Sequence, residues 1–276
     1  MTYRLFICLL FLLPVLGYAA SKGNQVTVTT LTDFPPNCFK KPDAVEKLEE
    51  ILPPGADSSQ LQGFSWDVVR ESFHIRGYTI RLIVVPWSRA MFYVKNGRTQ
   101  LIFPAVKTVK REKVFHYSTE TVDQTKILVY VQKSNKPSWQ NFSILSGNRI
   151  ATVRGWSYGK KWEMMTDVIR DPASTIMQGF CMLDSARVFG VIGYEDSFDY
   201  WLKKEGSFDK YTKSPTIESV ADYIVGLKSP SVMKLISDFD KGKRALIQSG
   251  RMQDIYRRWA ASGIILPPGK ARGAVE

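Results

Sequence analysis

Arg111 is the residue in this chain best equipped to hold an anion. It stands three places after Thr108 and four after Lys107 in the run VKTVKREK. Its guanidinium is a planar fork that meets a carboxylate through two parallel hydrogen bonds, a geometry an ammonium cannot reproduce. Read alone, it is equally a surface arginine in a basic helix turn. A second candidate group is Gly155-Trp156-Ser157-Tyr158, which follows a predicted strand and opens a predicted helix. Free N–H groups at a helix start favour an anion, and glycine lets the backbone come close. Ser157 reads as a contact to that anion, as the helix N-cap, or as both. Phe34, Trp66, Trp87, Trp156 and Tyr158 are candidate rings, able to sandwich an apolar group or to face an ammonium. Trp66 serves the core as readily, and Arg89 and Lys107 either add charge to a site or sit in exposed ion pairs.

The elements that would position these residues alternate between strand and helix. Residues 26–30 read as a strand running into the turn Asp33-Phe34-Pro35-Pro36. The connection 37–62 is long. Within it, Asp43 and Glu46 form a capping-box pattern before Val45, Leu48 and Ile51, and Pro53-Pro54-Gly55 is a stop, so a short extra helix is predicted there. Phe64, Val68, Val69 and Phe73 follow helical spacing, with Asp67 in the first turn. Residues 80–85, 101–103 and 127–131 read as short buried strands. After a polar break at 134–138 the alternation restarts: a strand at 149–153, a turn into a helix at 155–162, a helix at 175–187 and a strand at 188–192. A strand at 223–227 precedes helices at 232–247 and 252–261. In an open α/β sheet, ligands bind in the crevice at the strand ends.

The order GFSWDVV at 63–69, PWSRA at 86–90, NGR at 96–98, T-x-x-R at 108–111 and YS at 117–118 resembles the solute-binding proteins of polar amino-acid ABC transporters. The likeness runs from Val26 to about Trp259 and rests on the order and spacing of loose motifs. It implies an α/β, two-lobed periplasmic-binding-protein fold of type II, with a ligand cleft between the lobes and two hinge strands near Lys126 and Tyr223. The lobes would be 24–123 with the return 222–266, and 124–221. It also implies that Arg111, behind Thr108, grips the ligand's α-carboxylate. Gly155, Trp156 and Ser157 would meet the same group from lobe two, Phe34 would cover the ligand, and Trp87 and Lys107 would edge the pocket. The family's ammonium-accepting Asp aligns near Tyr194, followed by Glu195. Phe103-Pro104-Ala105-Val106 stands where relatives carry small hydroxyl residues. The implied function is capture of a small carboxylate-bearing solute, a polar amino acid or a related acid, for an ABC permease. Two alternatives use the same scaffold. One is a dehydratase of prephenate-like acids, with Glu195 as general acid if burial raised its pKa; the other is a ligand-loaded partner of a membrane sensor.

Composition limits the remaining options. Of 276 residues, 44% are hydrophobic and 23% charged, which is ordinary for a globular chain. The net charge of +12 is scattered among Asp and Glu rather than gathered into a stripe, and no zinc-finger or stacking-platform pattern accompanies it, so nucleic acid is not an expected partner. Arg4 precedes an apolar run at 5–16 that ends in Gly17-Tyr18-Ala19, so 1–19 reads as a signal peptide cleaved after Ala19 and the mature chain as periplasmic. Spanning a bilayer of ~30 Å needs about 20 apolar residues, more than this run provides. Cys38 and Cys181 fall in different predicted lobes, where a bridge would hinder movement, and are expected to be unpaired. His74 and His116 have no metal-ligand spacing. No nucleotide-binding glycine motif or nucleophile elbow is present, so neither a cofactor nor a metal is expected. The protein is expected to be a monomer, with 267–276 a frayed tail.

Overall fold

The computed structural model describes residues 24–261; the predicted signal segment, the tail from 267 and the end of the predicted return lie outside the described residues. In chain order the first lobe contains β1 (Gln25–Thr30), β2 (Asp33–Phe34), β3 (Cys38–Lys40), β4 (Glu49–Leu52), β5 (Leu61–Gln62), α1 (Phe64–His74), β6 (Thr79–Val84), α2 (Trp87–Lys95), β7 (Leu101–Val106), α3 (Val109–Glu112) and β8 (Phe115–Tyr117). A long strand, β9 (Asp123–Gln132), leads into the second lobe. There lie β10 (Arg149–Val153), α4 (Gly159–Met164), β11 (Ile169–Ala173), α5 (Ile176–Asp184), β12 (Gly190–Tyr194), α6 (Glu195–Lys204) and β13 (Tyr211–Lys213). A second long strand, β14 (Glu218–Leu227), returns to the first lobe, which α7 (Pro230–Gln248) and α8 (Arg251–Ala261) complete.

One 11-stranded sheet runs through both lobes; nine strands follow the order β11-β10-β12-β9-β14-β7-β1-β6-β4, with β13 paired to β9 and β8 to β14 off that path. Within each lobe the βα units pair in parallel, β1 with β6 and β7, and β10 with β11 and β12. The two long strands are antiparallel neighbours in the middle, from Glu218 opposite Ile127 to Asp222 opposite Asp123. Beyond that overlap β9 pairs with β12 on the lobe-two side, and β14 pairs with β7 and β8 on the lobe-one side. The lobes are therefore joined by two strands whose shared ladder is also the sheet's midline.

Strands covered on both faces need nearly continuous apolar sequence, and LIFPAV in β7 is buried at every position. Two glycines permit the close packing around helix α1, which lies against α7 and α8. At Gly63, before α1, φ is 140° and a Cβ would stand 2.1 Å from the Asn37 carbonyl oxygen. At Gly242 on α7, a Cβ would stand 2.0 Å from the Ser72 carbonyl oxygen of α1. The C-terminal return is tied to α1 by polar bonds as well: Trp259 Nε1 donates to Asp67 Oδ2 at 2.8 Å and Arg251 Nη2 to Glu71 Oε2 at 2.6 Å.

The helix predicted within 37–62 does not form. The segment instead supplies β3 and β5, which form a small sheet with β2 in the order β2-β3-β5, and β4, which adds an antiparallel edge to β6. Its burial alternates, with Glu49 and Ile51 outward and Glu50 and Leu52 inward. The inward Glu50 carboxylate is satisfied locally, accepting from Ser58 Oγ at 2.5 Å and from the Ser59 amide at 2.7 Å. Val45, Leu48 and Ile51, the supposed apolar face of a helix, are all exposed. Period-two burial around a bonded acid displaced the local capping signal.

Candidate functional site

A cavity lies where the lobes meet beside the two long strands. It holds about 290 Å³ of space not filled by atoms, part of it open to solvent, but only about 20 Å³ of water-sized room. That smaller figure admits about one water. The cavity is formed by the ends of β1, β7 and β12, the start of α2, the turn after β10, and β14. Crevices at strand ends are where open α/β sheets place ligands.

Arg111 reaches this cavity from α3, a single turn whose start is fixed by Thr108: the Thr108 hydroxyl accepts from the Arg111 amide at 3.1 Å. The guanidinium is steadied by Nη1 donating to the Val106 carbonyl at 3.1 Å, and its carbon lies 5.7 Å from the centre of the Trp87 ring. No other hydrogen-bond acceptor meets that guanidinium among the described residues. Its other N–H groups are therefore available to a ligand oxygen.

The carboxyl facing the same cavity is Asp222, a residue absent from the sequence-based candidates. It is 2% exposed on β14, and its Oδ2 has no hydrogen-bond partner among the described residues. Burial pushes its pKa well above the usual carboxylate range. Asp123, directly across the strand pair, pushes the same way, and the Arg111 charge opposes both. The sequence signal lies in the two-residue period of β14: Val220, Asp222 and Ile224 are all buried, which puts an acid on the core-facing side of an apolar strand. The strand predicted at 223–227 begins one residue too late to register it.

Aromatic rings from both lobes meet at the cavity. Phe34 of lobe one packs edge-on against Trp156 at 5.3 Å and Tyr194 at 5.0 Å, both of lobe two, and these two are 5.4 Å apart. Trp87 Nε1 donates across the cleft to the Gly155 carbonyl at 3.2 Å. The Tyr194 hydroxyl donates to the Ser157 carbonyl. Phe34, Trp87, Arg111, Trp156, Ser157 and Tyr194 thus share one cavity, with Leu31, Pro104 and Val106 as its aliphatic wall.

Several expectations are corrected by the geometry. Glu195 is not among the lining residues; its Oε1 accepts from Lys213 Nζ at 3.0 Å and its Oε2 lies 3.5 Å from Lys126 Nζ. Burial would raise its pKa, but the lysine bonds and charges outweigh burial and hold it below the usual range, so the condition for a general acid is not met. The helix predicted to open at Gly155 starts at Gly159, with Tyr158 at the cap position. The anion at its tip is the protein's own, since the Lys161 amide donates to Glu218 Oε2 at 2.8 Å. Ser157 caps nothing, and its hydroxyl donates to Glu163 Oε1 at 3.2 Å.

Lys107 lies outside the cavity, its ammonium 4.3 Å from the centre of the Tyr223 ring. Thr108 and Gly155 act on the site through Arg111 and Trp87 rather than by lining it. Trp66 and Tyr158 are core residues. The Trp66 Nε1 donates to Asp57 at 2.8 Å, and the Tyr158 hydroxyl accepts from the Val153 amide at 2.7 Å. Arg89 is exposed. Cys38 is buried and Cys181 exposed, and both are free thiols. Among the described residues no group of His, Cys, Asp and Glu could hold a metal ion, and no helix is long and apolar enough to cross a membrane.

Two α/β lobes on one sheet, two connecting strands and a cavity at their junction define a type II periplasmic-binding-protein fold. The chain belongs to the bacterial extracellular solute-binding proteins, family 3, whose sequence profile matches residues 52–262. Solved structures share the fold at low identity. The substrate-binding protein of an amino acid ABC transporter is 18% identical with a TM-score of 0.67, covering 86% of this chain and 99% of its own. A substrate-binding protein of an ABC uptake transporter from Streptococcus pneumoniae with bound histidine is 17% identical with a TM-score of 0.69, covering 88% and 94%. A histidine kinase sensor domain with similarity to periplasmic binding proteins is 14% identical with a TM-score of 0.69, covering 85% and 95%. No curated protein matches the chain.

Proposed function

We propose that this protein captures a small carboxylate-bearing solute, an amino acid or a close relative, in the periplasm, and presents it in closed form to an ABC permease. Arg111 carries the reading. Its guanidinium faces a cavity shared by both lobes, with N–H groups that no other hydrogen-bond acceptor among the described residues uses. Solute docks on lobe one against Arg111 and Phe34. Lobe two then brings Trp156, Ser157 and Tyr194 over it while the long strands flex. Contacts made only in the closed form shift the population toward closure. The family membership and the amino-acid transporter proteins among the structural neighbours support an amino acid as the ligand class.

The test is a thermal-shift screen of the purified protein with amino acids and small organic acids, followed by native mass spectrometry. A ligand that binds the native state alone raises the melting temperature by mass action. Replacing Arg111 with Ala removes a charge-assisted bidentate contact of about 2–4 kcal/mol, so a carboxylate hit is expected to weaken by roughly 30- to 1,000-fold. A hit whose affinity is unchanged in that variant refutes the assignment.

A further inference from the structure

We propose that Asp222 is the amine-recognising residue of this cavity, so that the site takes small carboxylates bearing a protonated amine and discriminates against their deaminated counterparts; the proposal rests on Arg111 holding the carboxylate. The expected amine partner, Glu195 of lobe two, is committed to Lys213 and Lys126. Asp222 is the only carboxyl among the residues that line the cavity, and its buried Oδ2 points to no donor in the described residues. A buried acceptor left unpaired is costly, and a ligand ammonium supplies both its missing hydrogen bond and its missing charge. The rings of Phe34, Trp156 and Tyr194 close around the same space, and aromatic faces favour a cation over a neutral group.

Protons make this recognition measurable. In the empty closed form burial and Asp123 push the Asp222 carboxyl toward its protonated form, and Arg111 opposes them. The other titratable groups against it are neutral. Burial raises the pKa of the Cys38 thiol, and those of the Tyr194 and Tyr223 hydroxyls, above their usual ranges. A ligand ammonium replaces that proton, which leaves to solvent. A deaminated ligand brings no positive charge, so its complex retains the proton. The two complexes therefore differ by one bound proton. The ratio of amine to deaminated affinity must then rise with pH, approaching tenfold per unit while that difference persists. The result is independent of the protonation of the open form, because only the two complexes are compared.

The experiment measures binding of each L-amino acid that raises the melting temperature, paired with its own α-hydroxy acid, over roughly pH 5–8, where the amino group stays protonated. The proposal expects a ratio that climbs with pH in the wild type. In Asp222→Asn, which replaces the acid with a near-isosteric amide that cannot ionise and is expected to fold, the ratio should be small and flat. In Asp123→Asn the climb should persist and shift to lower pH, since a charge that raises the Asp222 pKa is gone. Infrared difference spectra of the wild type should show a protonated-carboxyl C=O band at neutral pH that an L-amino acid bleaches. A flat wild-type ratio, unchanged discrimination in Asp222→Asn, or absence of that band overturns the proposal. If hydroxy acids bind through Arg111 and no amino acid does, the amine reading fails while the carboxylate reading stands. If neither class binds, both fail.

Discussion

Replacing Phe34 with Ala should open the empty protein. Phe34 is the lobe-one ring that meets two lobe-two rings, Trp156 at 5.3 Å and Tyr194 at 5.0 Å, both edge-on. Each such pair contributes about 0.5–1.5 kcal/mol beyond simple burial, so closure loses about 1–3 kcal/mol with the ring. A midpoint of about 2 kcal/mol is roughly a 30-fold fall in the closed-to-open ratio. The assay is a distance distribution between two spin labels. Cys181 supplies one on lobe two, being exposed on α5, and Lys95→Cys supplies the other at the exposed end of α2. Cys38 stays unlabelled because it is buried, and burial raises its thiol pKa far above the usual range. In the Phe34 background, the ligand-free distribution should move to a longer, broader distance, with Phe34→Leu in between. A distribution identical to that of the unsubstituted chain would refute the claim that these rings hold the lobes together.

Two further outcomes follow from the packing. Glu195→Gln should cost about 1 kcal/mol by removing the carboxylate charge that faces Lys213 and Lys126, while leaving carboxylate affinity unchanged. The folded pKa of Glu195 is depressed. Its contribution is thus present above the ordinary carboxylate range and lost as pH falls through the folded value, so denaturation midpoints of variant and parent should converge in acid and separate at neutral pH. Gly242→Ala, in the middle of α7, would gain about 1 kcal/mol from helix propensity alone. Here the new Cβ would lie 2.0 Å from the Ser72 carbonyl oxygen, and overpacking of about 1–3 kcal/mol or more should win. Urea denaturation should show net destabilisation, and a stabilised variant would contradict the close approach of α1 and α7.

The sequence made the fold legible where one element carried one period. Phe64, Val68 and Phe73 announced α1, and the restart of strand–helix alternation after 134–138 announced a second lobe. Arg111, Phe34, Trp87, Trp156 and Tyr194 were legible as candidates, and they line one cavity. What failed, failed for physical reasons. Asp43 and Glu46 satisfied a local capping rule, yet the segment was captured by the open edge of β6, where Glu50 finds Ser58 and Ser59. Ser157 looked like an N-cap because the strand–glycine–helix pattern does not say that Glu218, about sixty positions on, reaches the α4 tip. Glu195 was the nearest acid in sequence to Tyr194, but a helix start turns it toward Lys213. Asp222 approaches the same rings from a strand in the return path. Adjacency along the chain is a poor guide wherever two crossing strands bring distant residues together.

The small room left in the cavity also constrains how tightly a ligand is held. With about 20 Å³ of water-sized room, the closed form seats an amino acid only when the rings of Phe34, Trp156 and Tyr194 exchange contacts with one another for contacts with the ligand. Ligand affinity is thus a difference between two closed packings, and whatever stabilises the empty one is subtracted from it. Apparent affinity falls in proportion to the binding-competent fraction. An empty closed state favoured by about 2 kcal/mol would weaken binding about 30-fold. In the proposed complex an ammonium against Asp222 and a carboxylate against Arg111 recover that loss, the first meeting a buried oxygen that has no hydrogen-bond partner among the described residues and the second the guanidinium N–H groups that Val106 leaves unused. Apolar ligands offer neither exchange and compete only with the rings' own edge-to-face contacts. If Arg111 and Asp222 hold the ligand as proposed, the cleft selects for charge at both ends of a small molecule, and shape comes second.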